Sequence, residues 1–113
     1  MHEQSIVESL LSLALETAEN ANAIKIRGIY LVVGDLTGVV EEAVDFYFNF
    51  LSKNTIASGA NLYYTRVPAQ LHCRNCDTTF TPERLKFQCP NCSEQRLEII
   101  AGKELYIESI DVE

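Results

Sequence analysis

Apolar residues recur at three- and four-residue steps from the start of the chain. Ile6, Val7, Leu10, Leu11, Ala14 and Ala18 form one broad stripe, and Glu8, Glu16 and Glu19 lie off it. That period predicts an amphipathic helix beginning almost at residue 1, with Asn20-Ala-Asn22 as its stop. The period then shortens to two over 24–33. Ile24, Ile26, Tyr30 and Val32 alternate against Ile29, Leu31 and Val33, which predicts a strand ended by Gly34-Asp35. Helical spacing returns over 41–53, where Val40, Val44, Tyr47 and Leu51 share a stripe flanked by Ala43 and Phe50. The crowded Phe46, Tyr47, Phe48 and Phe50 are read as core. Ala57-Ser-Gly59 leads into a second strand over 61–67, with Tyr63 and Tyr64 as ordinary strand residues, and Pro68 closes it. Two short strands come last, 97–100 and 104–112. Ala101-Gly102 between them is a hairpin signal.

The order helix, strand, helix, strand, knuckles, strand, strand predicts an α+β fold. Both helices have a single apolar face, so they are expected on one face of a small β-sheet, with the final strand returning to pair with the earlier ones. The segment 70–96 then reads as an inserted zinc-ribbon-like module. The expected division is an α/β domain of 1–69 with 97–113 and an inserted module of 70–96. Pro68 and Gly102 are expected to be joints at which the module can reorient.

All four cysteines fall in that segment, as Cys73-Arg-Asn-Cys76 and Cys89-Pro-Asn-Cys92. Each Cys-x-x-Cys is a turn that aims two thiolates at one point. Two such turns facing each other make the closed sulfur tetrahedron that structural Zn²⁺ prefers. Iron could occupy the same four-sulfur cage, and a rubredoxin-type electron carrier would use it. Two disulfides would suit a small secreted protein, but the chain opens without an apolar signal segment and has enough core to need no staples. Thiolates in a metal knuckle fit a reducing compartment, so the cytoplasm is expected.

Charge narrows the partners. At 113 residues and 47% hydrophobic the chain can bury a core, and its net charge is −7 with a pI near 4.8. Even the cysteine segment sets only Arg74, Arg84, Lys86 and Arg96 against Asp77, Glu83 and Glu94. A basic stripe of the kind that neutralises phosphates is missing, so nucleic acid is not an expected partner. Nor is a membrane, since no apolar run approaches the roughly 18 residues a spanning helix needs.

The opening Met1-His2-Glu3 invites two readings. It could be an arbitrary start that frays ahead of the helix. Alternatively, a free α-amine, the next amide nitrogen and the His2 imidazole can chelate one ion through fused small rings, a field that suits Ni²⁺ or Cu²⁺. Glu3 could add an oxygen or its own amide nitrogen, and it also suits a helix N-terminus.

Met1-His2-Glu3 joined to Cys73-x-x-Cys76 and Cys89-x-x-Cys92 in a chain of this length resembles the HypA/HybF family of [NiFe]-hydrogenase maturation proteins. The resemblance covers the whole chain: an N-terminal Met-His-Glu opening onto an amphipathic helix, a strand ending in Val33-Gly34, a second helix and the paired knuckles. It implies a nickel metallochaperone rather than an enzyme. Ni²⁺ would be a transient cargo held by Met1, His2 and Glu3, and Zn²⁺ a structural ion held by Cys73, Cys76, Cys89 and Cys92. It also implies two partners, a nickel-handling GTPase and the precursor of the hydrogenase large subunit, with the chain a monomer or homodimer and urease as a possible further client. Some members of the family add an acidic nickel ligand after the glycine matching Gly34. Here Asp35, Glu41 and Glu42 stand in that stretch, so the fourth ligand stays open among them and His72. Near a knuckle, His72 could equally brace the zinc or be a plain surface residue. The competing function is a zinc-ribbon adaptor in transcription or RNA processing, which the acidic balance disfavours. No Ser/His/Asp set and no G-x-x-x-x-G-K-[ST] phosphate loop is present, so GTP hydrolysis belongs to a partner.

Overall fold

The computed structural model describes residues 3–83 and 86–113. Helix α1, Glu3–Asn20, buries Val7, Leu11, Ala14 and Ala18, the predicted stripe. It ends where Asn22 takes a left-handed φ of 56°. The Ala23 amide donates to the Ala18 carbonyl at 2.9 Å and the Asn22 amide to Glu19 at 3.0 Å, the paired bonds of a Schellman cap. Asparagine tolerates that φ better than most residues, which is why the chain stops there.

Strand β1, Ile26–Gly34, begins two residues later than expected and forms the centre of a three-stranded sheet. It runs parallel to β2, Asn61–Val67, and antiparallel to β6, Leu105–Val112. Ile29, Leu31 and Val33 of β1, Leu62 and Tyr64 of β2, and Leu105, Ile107, Ile110 and Val112 of β6 all pack into one core with both helices. The change of phase within β6, from odd to even positions, coincides with a register shift opposite Tyr30 and Leu31. The inserted residue of a bulge carries the side chains back to the same face. A second shift beside Gly28 does the same for Ile26, so Ile26 joins Ile29 in the core.

Helix α2, Glu41–Leu51, connects β1 to β2 across that face. Of its four aromatic residues Phe48 is buried in the core, 4% exposed, and Tyr47 packs against it, while Phe46 and Phe50 are 68% and 64% exposed. Expecting Phe46 and Phe50 in the core was wrong, because residues 46 and 50 lie more than a right angle round the helix from Val44 and Phe48. Phe48→Ala is expected to destabilise the fold by about 3–5 kcal/mol. Phe46→Ser should change stability by less than about 0.5 kcal/mol. Urea unfolding of the two variants distinguishes these outcomes.

The second sheet has the order β4-β3-β5, from β3 (Gln70–Cys73), β4 (Thr79–Phe80) and β5 (Leu97–Ala101). The expected hairpin at Ala101-Gly102 does not form. Strand β5 pairs with β3 in the second sheet, and β6 pairs with β1 in the first. Gly102 is instead the crossing between sheets. Its φ is +114°, and a Cβ there would fall 2.8 Å from the Ala69 Cα. A Cβ on Gly34 would overlap the Gly102 carbonyl. The Gly102 oxygen accepts from the Leu36 amide at 2.8 Å, and its own amide donates to Glu104 Oε1 at 2.8 Å. Gly102, expected as a loose joint, is a close-packed and hydrogen-bonded junction.

Strand register fixes which end of the first sheet meets the module. Gly34 pairs with Val67 and Val33 with Leu105, so the ends of β1 and β2 and the start of β6 lie together. The chain enters the second sheet just after Val67 and returns from it just before Leu105. Laid end to end, the two sheets give a radius of gyration of 17.6 Å and a longest dimension of 55 Å. A compact chain of this length would have a radius of about 13 Å. Among the described residues no helix is long and apolar enough to cross a membrane.

Candidate metal centre

The knuckles are two tight turns of the same design. In the first, the Asp77 amide donates to the Cys73 carbonyl at 3.0 Å and the Cys73 amide to Thr78 at 2.8 Å. In the second, the Ser93 amide donates to Cys89 at 2.9 Å and the Cys89 amide to Glu94 at 2.9 Å. Asp77 and Ser93, each just after its second cysteine, have φ of 60° and 63°. That left-handed step sends the chain away and leaves both sulfurs on the inside.

The turns face each other. Cys73 Sγ lies 3.5 Å from Cys92 Sγ, and Cys76 Sγ 3.6 Å from Cys89 Sγ. All four sulfurs fall within 4.8 Å of one another, and all four are free thiols rather than disulfides. A sulfur tetrahedron about Zn²⁺, with bonds of about 2.3 Å, has edges of about 3.8 Å. The donor set and its size therefore fit one ion in a closed four-sulfur site. Among the described residues, no other three or more His, Cys, Asp and Glu side chains converge in this way.

The surroundings prepare these thiols unequally. The Thr78 hydroxyl, with Oγ1 3.1 Å from Cys76 Sγ, does most to bring Cys76 down to about 6, and the Asn91 side chain and Thr78 amide add to it. Asn75, with Nδ2 3.5 Å from Cys92 Sγ, does most to lower Cys92. At Cys73 the Cys76 amide favours the thiolate, yet burial and the neighbouring Cys92 and Cys76 sulfurs leave it at about 11. Sulfurs this close cannot all ionise without a cation between them.

His72 sits on β3 with Nε2 3.2 Å from Asp77 Oδ1 and Nδ1 3.5 Å from Thr79 Oγ1. It touches the turn that holds Cys76 and is not one of the converging donors. Asp35 and Glu41 flank the loop after β1, and Arg66 engages both. Arg66 Nε is 3.2 Å from Asp35 Oδ1, and Nη1 is 3.7 Å from Glu41 Oε2. Arg66 also donates to the Val39 carbonyl at 3.4 Å, pinning the loop to β2. Glu42 is exposed. Next along α2, Asp45 accepts the Tyr64 hydroxyl at 2.7 Å; burial first, and then that bond, hold the phenol well above its usual range. Met1 and His2 lie outside the described residues, and Glu3 opens α1.

Sequence reasoning missed Arg66, Thr78, Asn75 and Asn91. Only the two asparagines carried a signal, since each occupies the third place of its Cys-x-x-Cys.

Residues 1–112 match the family model described as hydrogenase/urease nickel incorporation, metallochaperone, HypA. The hydrogenase maturation factor HypA of Dehalococcoides mccartyi is 46% identical over the whole chain and 95% of its own length. That of Caldanaerobacter subterraneus is 42% identical over the full length of both. A solution structure of a HypA protein superposes with a TM-score of 0.72 at 25% identity, covering 99% of this chain and 96% of that one. The solution structure of the Ni metallochaperone HypA from Helicobacter pylori shares the fold, with a TM-score of 0.69 at 24% identity over 99% and 97% of the two chains.

Proposed function

Because the chain belongs to the HypA family of nickel-incorporation metallochaperones of hydrogenase maturation, we propose that it binds one Ni²⁺ through Met1, His2 and Glu3 and passes it to the [NiFe]-hydrogenase large subunit. The observation that carries this reading is the family match over residues 1–112, which takes in the Met-His-Glu opening and both knuckles. Here the α-amine, backbone nitrogens and His2 imidazole hold nickel as cargo, weakly enough to release it. Its partners are a nickel-handling GTPase and the large-subunit precursor, and the protein performs no bond chemistry of its own. Urease is a second candidate client.

In this reading Cys73, Cys76, Cys89 and Cys92 hold a resident Zn²⁺ whose only contribution is to tie the two knuckles together. Because β5 pairs with β3, we draw the metal module at 70–101 and the nickel-binding unit at 1–69 with 102–113, which moves the 97–101 strand across the boundary read from the sequence. Asp35 and Glu41 are engaged by Arg66, so a fourth nickel ligand drawn from either must first leave that pair. Exposed ion pairs of this kind stabilise by about 1 kcal/mol or less, which makes that exchange inexpensive.

The test is calorimetric titration of Ni²⁺ into zinc-loaded protein that begins at Met1, compared with His2→Ala. One Ni²⁺ per chain is expected for the native protein. The variant should lose more than roughly tenfold in affinity, about 1.4 kcal/mol, with its zinc content unchanged. Equal affinity in the two would move the nickel site away from the N-terminus.

A further inference from the structure

The two knuckles share their backbone plan and also a side chain. Asn75 and Asn91 hold the third place of Cys73-x-x-Cys76 and Cys89-x-x-Cys92. Neither serves the sulfurs of its own turn alone. Asn75 Nδ2 reaches 3.5 Å to Cys92 Sγ, the last sulfur of the opposite knuckle. Asn91, at the matching place of the second turn, helps to lower the Cys76 thiol, the last sulfur of the first knuckle.

We propose that Asn75 is a positioning residue of the four-sulfur cage. Its carboxamide N–H donates to Cys92, the last thiolate of the opposite knuckle, and so couples the halves of the site. The proposal rests on the four cysteines holding one ion. Two physical effects follow. A donated N–H withdraws charge from the sulfur lone pair, which reduces the repulsion among four thiolates confined within 4.8 Å of one another. It also fixes where that sulfur points, so neither turn can swing away without breaking a bond to the other. Besides the β3–β5 pairing and the Arg74 amide, which donates to the Arg96 carbonyl at 3.2 Å, the links between the two turns among the described residues include sulfur contacts of 3.5 and 3.6 Å and this amide. Outer groups that orient metal ligands typically change affinity by about 10–100-fold when removed.

Cobalt substitution provides the test, because the sulfur-to-cobalt charge-transfer band reports electron density on the thiolates directly. In Asn75→Ala the band should move to lower energy, as the Cys92 sulfur regains charge. The ligand-field bands should still report four sulfurs in a tetrahedron. Transfer of Zn²⁺ to a competing chelator should be about tenfold faster in the variant. Should Asn75→Ala fail to retain metal, Asn75→Ser keeps a small donor, and a smaller shift in the same direction is expected. Native-like bands and native-like transfer rates in all variants would overturn the proposal and leave the cage standing. A native protein with no sulfur-to-cobalt band would remove the cage and the proposal together.

Discussion

Replacing Cys73 or Cys89 by serine is expected to abolish metal retention and unfold the second sheet, while the helices and the first sheet survive. Burial explains the split. The core beneath α1 and α2 draws on all three strands of the first sheet and on both helices, and among the described residues none of it comes from 69–101. Among the described residues of the module the fully buried side chains are Leu71, Cys73 and Cys89. One leucine and two thiols bury too little to offset the ordering of the module's backbone. Because a formed metal site is absent from the unfolded chain, the free energy of metal ligation acts as folding free energy for the module. Elemental analysis should give one zinc per chain in the native protein and none in the variants after dialysis against a chelator. Hydrogen exchange should accelerate across 70–101 and stay slow across 26–34. A variant that keeps its zinc, or keeps slow exchange in β3 and β5, would mean the module stands without the cage.

The second large effect is expected at the other end of the chain. Extending the chain by one residue before Met1, or acetylating Met1, should cost nickel affinity at least as much as losing His2 does, more than roughly tenfold. Either change removes the α-amine from the chelate, whereas a tag after Glu113 should leave binding intact. Acidity should act in the same direction. The α-amine ordinarily titrates near 7.7–8.0 and histidine near 6.5, and both ligate only when unprotonated. Affinity should therefore fall as pH drops below about 8 and fall more steeply below about 6.5. Zinc should be retained through the first of these steps. Titration of Ni²⁺ at a series of pH values, with and without the extension, measures both effects. A chain extended before Met1 that binds Ni²⁺ like the native one would place the ligands elsewhere.

Features that a single element carries were legible in the order of residues. A three-to-four residue apolar period in α1 survives any rearrangement of the rest, because it is a property of one helix. Asn22 stopped that helix through its own tolerance of positive φ. The cage was legible because each Cys-x-x-Cys turn aims its sulfurs with bonds inside six residues. Tertiary structure alone decided the features that depend on distant chain. Periodicity said that α2 had an apolar face, but with aromatic residues at 46, 47, 48 and 50 only the position of the sheet could select Phe48 for the core. Ala101-Gly102 has the composition of a turn, yet strand pairing is non-local. Leu97–Ala101 found a partner in β3 and Leu105–Val112 in β1, with Ala69 and Leu36 leaving room only for a glycine between them. The pairing of Arg66 with Asp35 and Glu41 joins residues about thirty positions apart, and the bond from Asn75 to Cys92 crosses between turns. Local sequence sets the geometry of a turn or a helix through short-range sterics. Which turn faces which, and which helix face is covered, follows only when the apolar faces have been packed together and the remaining polar groups have found partners.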